Sequence, residues 1–413
     1  MNDASTAARQ LAGGASLHEA LGHASAECWP ALDRAIRDLP PQDLGVHVAP
    51  AGRWLQWPWN APPPSLRRSR RPESESATVI ALCHHDGRIR EAALDLTSGS
   101  PALLPLLIVR CTDWAAPVRE RARALLSEVP APALASCAEL VLLLARREQG
   151  GFAVDLLDRG LREGPAAQVE ALLSSEDRAT RRFAHRIAVD RGLLAPGRLA
   201  RLAAGSGDAS LQDLCADAAI ASMRDEDHDD VLGVLLTARN GRVRAAGVTA
   251  LRRTGRHGEA RAWLTDRSGV VRACARYVLR QDGTDPLPLY RAMCTGEVTE
   301  PGAAAGLGEC GDRADAETLW ALVNHPDAAV RVHAVTGLRA LDVVTRAGLA
   351  PLIDDPSSAV VRAATRALLP HAAGFSREWL SARNAPDRPR AVRVAAQRLF
   401  RAAGYGTSPR LNP

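Results

Sequence analysis

Asp327-Ala328-Ala329-Val330-Arg331-Val332-His333-Ala334-Val335-Thr336-Gly337-Leu338 is the stretch whose reading decides the fold. In its full form the phrase is Val-Arg, a small residue four places after the Val, and Leu eight places after it. It returns, some copies less complete, at Ile89-Arg90, Val118-Arg119, Val243-Arg244, Val271-Arg272, Val361-Arg362 and Val392-Arg393, with a weaker copy at Thr180-Arg181. At 3.6 residues per turn, Val330, Ala334 and Leu338 lie on one face of a helix. The small residue lets a neighbouring helix come close. Three residues before the Val stands a helix-capping type in six copies: Asp86, Asp177, Asn240, Ser268, Asp327 and Ser358. Such short side chains accept bonds from the first free N–H groups of a helix. Upstream of the caps lie further apolar segments, such as 102–109, 260–264, 318–323 and 347–353. Each unit therefore reads as helix, turn, helix.

Three intervals are double length: Arg119 to Arg181 (62), Arg181 to Arg244 (63) and Arg272 to Arg331 (59). Each hides a degenerate copy, near 150, 212 and 302. Inserting them gives eleven units spaced by 28 to 32 residues. A helix pair of this size cannot bury its own apolar faces, but a stack of them can. The expected fold is all-α: a right-handed α-solenoid of about eleven helix-turn-helix repeats, roughly 100 Å long at about 9–10 Å per layer.

Composition agrees. Apolar residues make up 46% of the 413 and aromatics only 4%, which suits Ala-rich helix packing better than a large aromatic core. All 52 basic residues are Arg, whose planar fork matches carboxylate or phosphate. The net charge of +5 is mild, so it permits an anionic partner without demanding one. Eight scattered cysteines without a C-x-x-C pair point to a reducing compartment. The polar N-terminus and the lack of long apolar runs point to a cytoplasmic protein with no membrane partner.

In these residues the chain resembles the HEAT-repeat superfamily, in its short variety related to phycobilisome-lyase-type repeats, over 75–413. The resemblance implies an intramolecular ladder in which turn Asp and second-helix Arg bond between neighbouring repeats. Asp86 and Asp327 would be its acids. Arg90, Arg119, Arg244, Arg272, Arg331, Arg362 and Arg393 would be its bases. The same resemblance covers scaffolds, transport receptors, regulators and a few enzymes. Deoxyhypusine hydroxylases carry repeated His-Glu pairs, but this chain has one, His18-Glu19, outside the array. HEAT-like alkylpurine DNA glycosylases use Asp and Trp, and Asp113-Trp114 is the nearest echo.

Residues 1–74 do not follow the period. They read as an N-terminal helical cap, either one helix or two broken near Trp29-Pro30, followed by an arm. The arm combines Trp54, Trp57 and Trp59 with prolines and then Arg67, Arg68, Arg70 and Arg71. Aromatic residues mixed with basic ones suit single-stranded nucleic acid, while Trp also packs loops onto helices.

The positions one, five and nine after the Val form a second helix face. Across the eight marked copies these 24 positions hold 15 arginines and no Asp or Glu. A ladder explains the first of each set. It does not require Arg123, Arg252, Arg276, Arg280, Arg339, Arg366 and Arg401, which form the candidate basic stripe. Arg stems covering Ala-rich helices and an anion-binding surface are both open readings. Asp225 to Asp230, with His228, reads as an acidic helix start, and His84-His85-Asp86 falls in a turn. No catalytic residue, metal site or cofactor site is assigned. Gly302, Gly306, Gly308 and Gly311 predict a weak helix and a loose joint near 302, since Gly costs about 1 kcal/mol against Ala in a helix. The expected function is a non-enzymatic scaffold or adaptor binding a protein partner on its concave surface. The alternative is nucleic-acid binding through the stripe, with or without glycosylase-like chemistry.

Overall fold

A computed structural model describes residues 3–22, 24–40 and 74–406. Every regular element among them is a helix, so the architecture is an all-α solenoid type built from helix pairs. The chain divides after Leu194 into two compact units.

In the first unit the second helices of successive pairs are Gly87–Leu94, Ala116–Ser127, Gly151–Glu163 and Arg178–Asp190. In the second unit they are Ala209–Ser222, Gly241–Arg253, Gly269–Gln281, Pro301–Cys310, Ala328–Ala340, Ser358–Leu368 and Arg390–Ala402. Within each unit these helices pack on one another in chain order. The described residues thus hold eleven pairs, counting the three degenerate copies. The apolar stripe faces inward as its period requires: Val330, Ala334 and Leu338 are fully buried, as are Val271, Ala275 and Leu279. The first helices are less regular. The one before 269 is a 3-10 helix, His257–Trp263, and the one before 358 passes from Arg346–Leu349 into the 3-10 helix Ala350–Asp354.

Four of the six expected caps close their helices through the side chain. Asp86 accepts from the Arg88 N–H, Asp177 from Thr180, Asn240 from Arg242 and Asp327 from Ala329. Ser268 caps without a side-chain bond, and Ser358 is the first residue inside its helix, with Ser357 at the cap position. In both of those turns an Asp two residues before the cap takes over. Asp266 accepts from the Ser268 N–H and Asp355 from that of Ser357.

The N-terminal segment differs from its reading. It holds three helices, Ala4–Ala12, Leu17–Leu21 and Cys28–Arg37. The break falls at Gly22, which has a left-handed φ of 57°. Pro30 instead lies in the first turn of Cys28–Arg37, where a missing N–H is tolerated. The first helix carries a weak apolar signal because it buries chiefly alanines, Ala7 and Ala8, beside a single Leu11. It packs on Cys28–Arg37 and on the first repeat helix, Glu75–Cys83. The Trp54–Arg71 arm lies outside the described residues.

The glycines near 302 serve close packing. Residues Gly302 to Gly308 are all buried. A Cβ on Gly306 would sit 2.0 Å from the Tyr290 ring, and one on Gly308 would sit 2.3 Å from the Gly337 Cα. Helix propensity alone suggests weakness here, but Gly308 lets helices 301–310 and 328–340 meet backbone to backbone and Gly306 makes room for the Tyr290 ring. Tyr290 is held by its hydroxyl, which donates to the Leu264 carbonyl at 2.8 Å, so its ring has no easy escape. Gly306→Ala is therefore expected to destabilise the protein by about 1–3 kcal/mol through overpacking, measured by urea unfolding. A neutral or stabilising effect would show that the joint is loose after all.

Candidate functional site

In three repeats the Arg after the Val divides its donors in the same way. Nη1 turns back to its own inter-helix turn and donates to carbonyls five and six residues earlier: Arg90 to His84 and His85, Arg244 to Ala238 and Arg239, Arg331 to His325 and Pro326. Nε and Nη2 reach forward to a carboxylate in the next turn. Arg90 grips Asp113 at 2.9 and 2.8 Å, Arg244 grips Asp266 at 2.9 and 2.8 Å, and Arg331 grips Asp355 at 2.9 Å twice. Such bidentate pairs are strong and directional.

The acids differ from those the resemblance implied. Asp86 and Asp327 are spent on their own helix starts, while Asp113, Asp266 and Asp355 make the rungs. These three stand six or seven residues before the next repeat Arg (119, 272 and 362). That spacing was readable, but it was hidden behind the more frequent cap position. Burial pushes the Asp266 carboxyl up; the Arg244 bonds and the Ser268 N–H outweigh it and hold it below the ordinary carboxylate range.

Other rungs deviate. Arg119 donates to its own turn, to the Asp113 and Trp114 carbonyls, and makes no ion pair among the described residues. The place that Asp113 holds, three residues before its helix start, is taken in the following turn by Glu148, which is exposed and makes no ion pair with Arg119. In the degenerate copy near 212, Gln212 replaces Arg. Its amide donates to the Ser206 carbonyl and its oxygen accepts from Asn240, so a neutral rung takes the place of a charged one. Arg272 donates to the Asp266 carbonyl and pairs with Glu309, which Arg276 also reaches at 2.7 Å. Arg362 is exposed and donates to Ser358 Oγ. The Arg393 Nε is buried without a hydrogen-bond partner.

The seven stripe arginines separate into two groups. Arg123 is tied to the Cys111 and Gln149 carbonyls and lies 5.1 Å from the Phe152 ring centroid; Arg276 is tied to Glu309. Both are internal struts. Arg252, Arg280, Arg339, Arg366 and Arg401 are exposed and make no side-chain hydrogen bond or ion pair among the described residues; Arg252 lies 5.9 Å from the Tyr277 ring centroid. All five belong to the second unit, and each sits in the last turn of its helix. Positive charge there complements the helix dipole, which accounts for the recurring place.

Asp113 is unsuited to act as a catalytic carboxylate. It is 4% exposed, and its oxygens accept from Arg90, Arg110 and the Ala115 N–H. Trp114 beside it is 74% exposed. Among the described residues no group of three His, Cys, Asp or Glu side chains is placed to hold a metal, and no helix is long and apolar enough to cross a membrane. All eight cysteines are free thiols.

Neither a family model nor a curated protein matches the chain. Among solved structures it is similar to Kap121p, at 13% identity over 97% of this chain and 54% of that one, with a TM-score of 0.34. It is similar to importin beta at 11% identity over 97% and 66%, TM-score 0.28. It is similar to the Escherichia coli protein YibA at 16% identity over 59% and 96%, TM-score 0.26. The chain spans about half the length of Kap121p. The fold rests on the chain's own helices rather than on these low scores.

Removing one side of a buried rung leaves an uncompensated charge. Asp266→Ala is expected to cost about 3–5 kcal/mol, and joint replacement by Arg244→Met and Asp266→Leu to recover most of it, both read by urea unfolding. Equal losses in the single and double variants would show that the rung is not a coupled pair. A second prediction concerns His84, which is 5% exposed and whose Nδ1 accepts from the Asp86 N–H. Burial first, then the His85 and Arg90 charges, pull its pKa down to about 4. An unfolded His protonates near ~6.5. The folded state therefore binds fewer protons between these values, and stability falls as pH drops through that window. From pH 7 to pH 4.5, His84→Gln should lose about 2 kcal/mol less than wild type. Parallel pH profiles would refute the assignment.

Proposed function

We propose that the chain is a non-enzymatic scaffold or adaptor of HEAT-repeat type, with 75–413 as its array and 1–74 as cap and arm. Its second unit receives an acidic protein partner through the exposed arginines. One observation carries this reading: Arg252, Arg280, Arg339 and Arg401 stand exposed and without an ion pair at the same place on four helices of one stack, and Arg366 stands one turn earlier on a fifth. Arg stems covering Ala-rich surface need no such freedom of the guanidinium, whereas a partner does.

A protein suits the site better than a polyanion. Other surface arginines are already paired, as in Arg242–Asp213, Arg313–Asp342 and Arg383–Asp354, so the positive field is local rather than continuous. The eight free thiols are consistent with work in a reducing, cytoplasmic setting. The occupied oxygens of Asp113 weigh against glycosylase-like chemistry at that position.

The test is Arg280→Gln, Arg339→Gln and Arg366→Gln in one chain. Capture of partners from native lysate at low salt should recover an acidic protein with wild type and at least about tenfold less with the variant. Loss of the helix-end charges should lower stability by only about 1–3 kcal/mol in total. Capture unchanged by the substitutions would overturn the reading. Retention of labelled single- or double-stranded oligonucleotide, with log affinity falling steeply against log salt, would replace it by nucleic-acid binding.

A further inference from the structure

Five large apolar side chains stand well exposed among the described residues: Trp114, Val270, Tyr277, Val298 and Val394. Single ones are ordinary on a protein surface. Val270 and Tyr277 are not single. Both belong to the helix Gly269–Gln281, seven residues apart, which puts them on one face, two turns from each other. They are 56% and 44% exposed. Ala273 is exposed between them, and Cys274 is half-buried beside it. The neighbouring second helices differ at the same places, with Arg242 and Thr249 on one side and Ala329 and Thr336 on the other. The core face of Gly269–Gln281 is already complete with Val271, Ala275, Val278 and Leu279, so packing within the stack does not call for Val270 and Tyr277.

Both ends of this strip are charged. At the Val270 end lies a groove of about 460 Å³, lined in part by Ala216, Asp217, Ala246 and Val270. Asp213 in its wall is held by Arg242 at 2.7 Å, whereas Asp217 is exposed and makes no ion pair among the described residues. At the Tyr277 end, the Arg252 guanidinium lies 5.9 Å from the ring centroid, and Arg280 follows three residues later on the same helix. Exposed charges in water contribute little to binding by themselves, while covering Val270 and Tyr277 adds the apolar contribution. Tyr and Arg side by side are the residue types in which interfaces concentrate their energy. An apolar strip two turns long that ends in unpaired guanidiniums is complementary to an amphipathic helix. Such a helix carries apolar residues at i, i+3 or i+4, and i+7, with acidic residues beyond them.

On the reading that the stripe receives an acidic protein, we propose that this partner docks as an amphipathic helix. Its apolar side chains rest on Val270, Ala273 and Tyr277, and its carboxylates meet Arg252 and Arg280. Asp217 favours a basic residue at the opposite end, which sets the direction in which the helix lies.

The experiment is fluorescence polarisation of the full chain at low salt with a labelled synthetic helix of about 15 residues. The peptide carries Leu at i, i+3 and i+7 with Glu clustered beyond them; a control of the same composition scatters the Leu. Val270→Ser with Tyr277→Ser removes the strip, and Arg252→Gln with Arg280→Gln removes its charged end; all four side chains are exposed, and thermal melts verify that both variants fold. Wild type should bind the patterned peptide at least about tenfold more tightly than the control, and each variant should lose about tenfold or more. Loss in the Arg variant alone, or equal binding of the two peptides, would overturn the proposal and leave the acidic-partner reading standing. Loss in the Val270/Tyr277 variant alone would overturn that reading and the proposal with it. No binding of the patterned peptide at millimolar concentration would overturn the proposal, as would a wild-type dimer in sedimentation that the Val270/Tyr277 variant abolishes, which would assign the strip to a second copy of this chain.

Discussion

The bidentate pair between a second-helix Arg and an Asp in the following turn is the contact on which the stacking depends. Apolar faces hold the layers together, but they are non-directional and would tolerate sliding. A planar guanidinium is not so tolerant. With Nη1 fixed on two carbonyls of its own turn, Arg244 can present Nε and Nη2 in only one direction, and Asp266 must stand there. The same Asp orders the next helix start by accepting the Ser268 N–H. One carboxylate thus joins the register between repeats to the local geometry of a turn.

Where the pair is absent, the structure shows what it was supplying. Gln212 and Asn240 reproduce the rung with neutral amides, so the connection matters more than the charge. Near 302 the register is kept by other means. Glu309 reaches Arg272 from within a helix, and glycines bring that helix against Gly337. A repeat that looks degraded in sequence is therefore closely packed, with small residues in place of a turn contact.

The same accounting separates structural from available arginines. Arg90, Arg119, Arg244, Arg272 and Arg331, together with Arg123 and Arg276, are committed to carbonyls and carboxylates. Those in the last turns of the second unit satisfy a helix dipole, which leaves their guanidiniums unbonded. The group around Asp33 and Asp113 is a third kind, in which the cap helix adds Asp33 and Arg37 to an existing rung.

The helices and their apolar faces were legible in the sequence because a 3.6-residue pattern repeated about every 30 residues leaves few other ways to bury Val, Ala and Leu. The caps at Asp86, Asp177, Asn240 and Asp327 were equally local, and so equally readable. The first helix, with its alanine-lined face, carried too weak a pattern. The identity of the rung acids, the role of Gly306 and Gly308, and the freedom of Arg280 against the engagement of Arg276 were decided by the tertiary structure alone. Each depends on what a neighbouring repeat places within a few ångströms. The chain's own periodicity determines which residues face inward. Only the packing of one repeat on the next determines which charged groups find partners and which remain available.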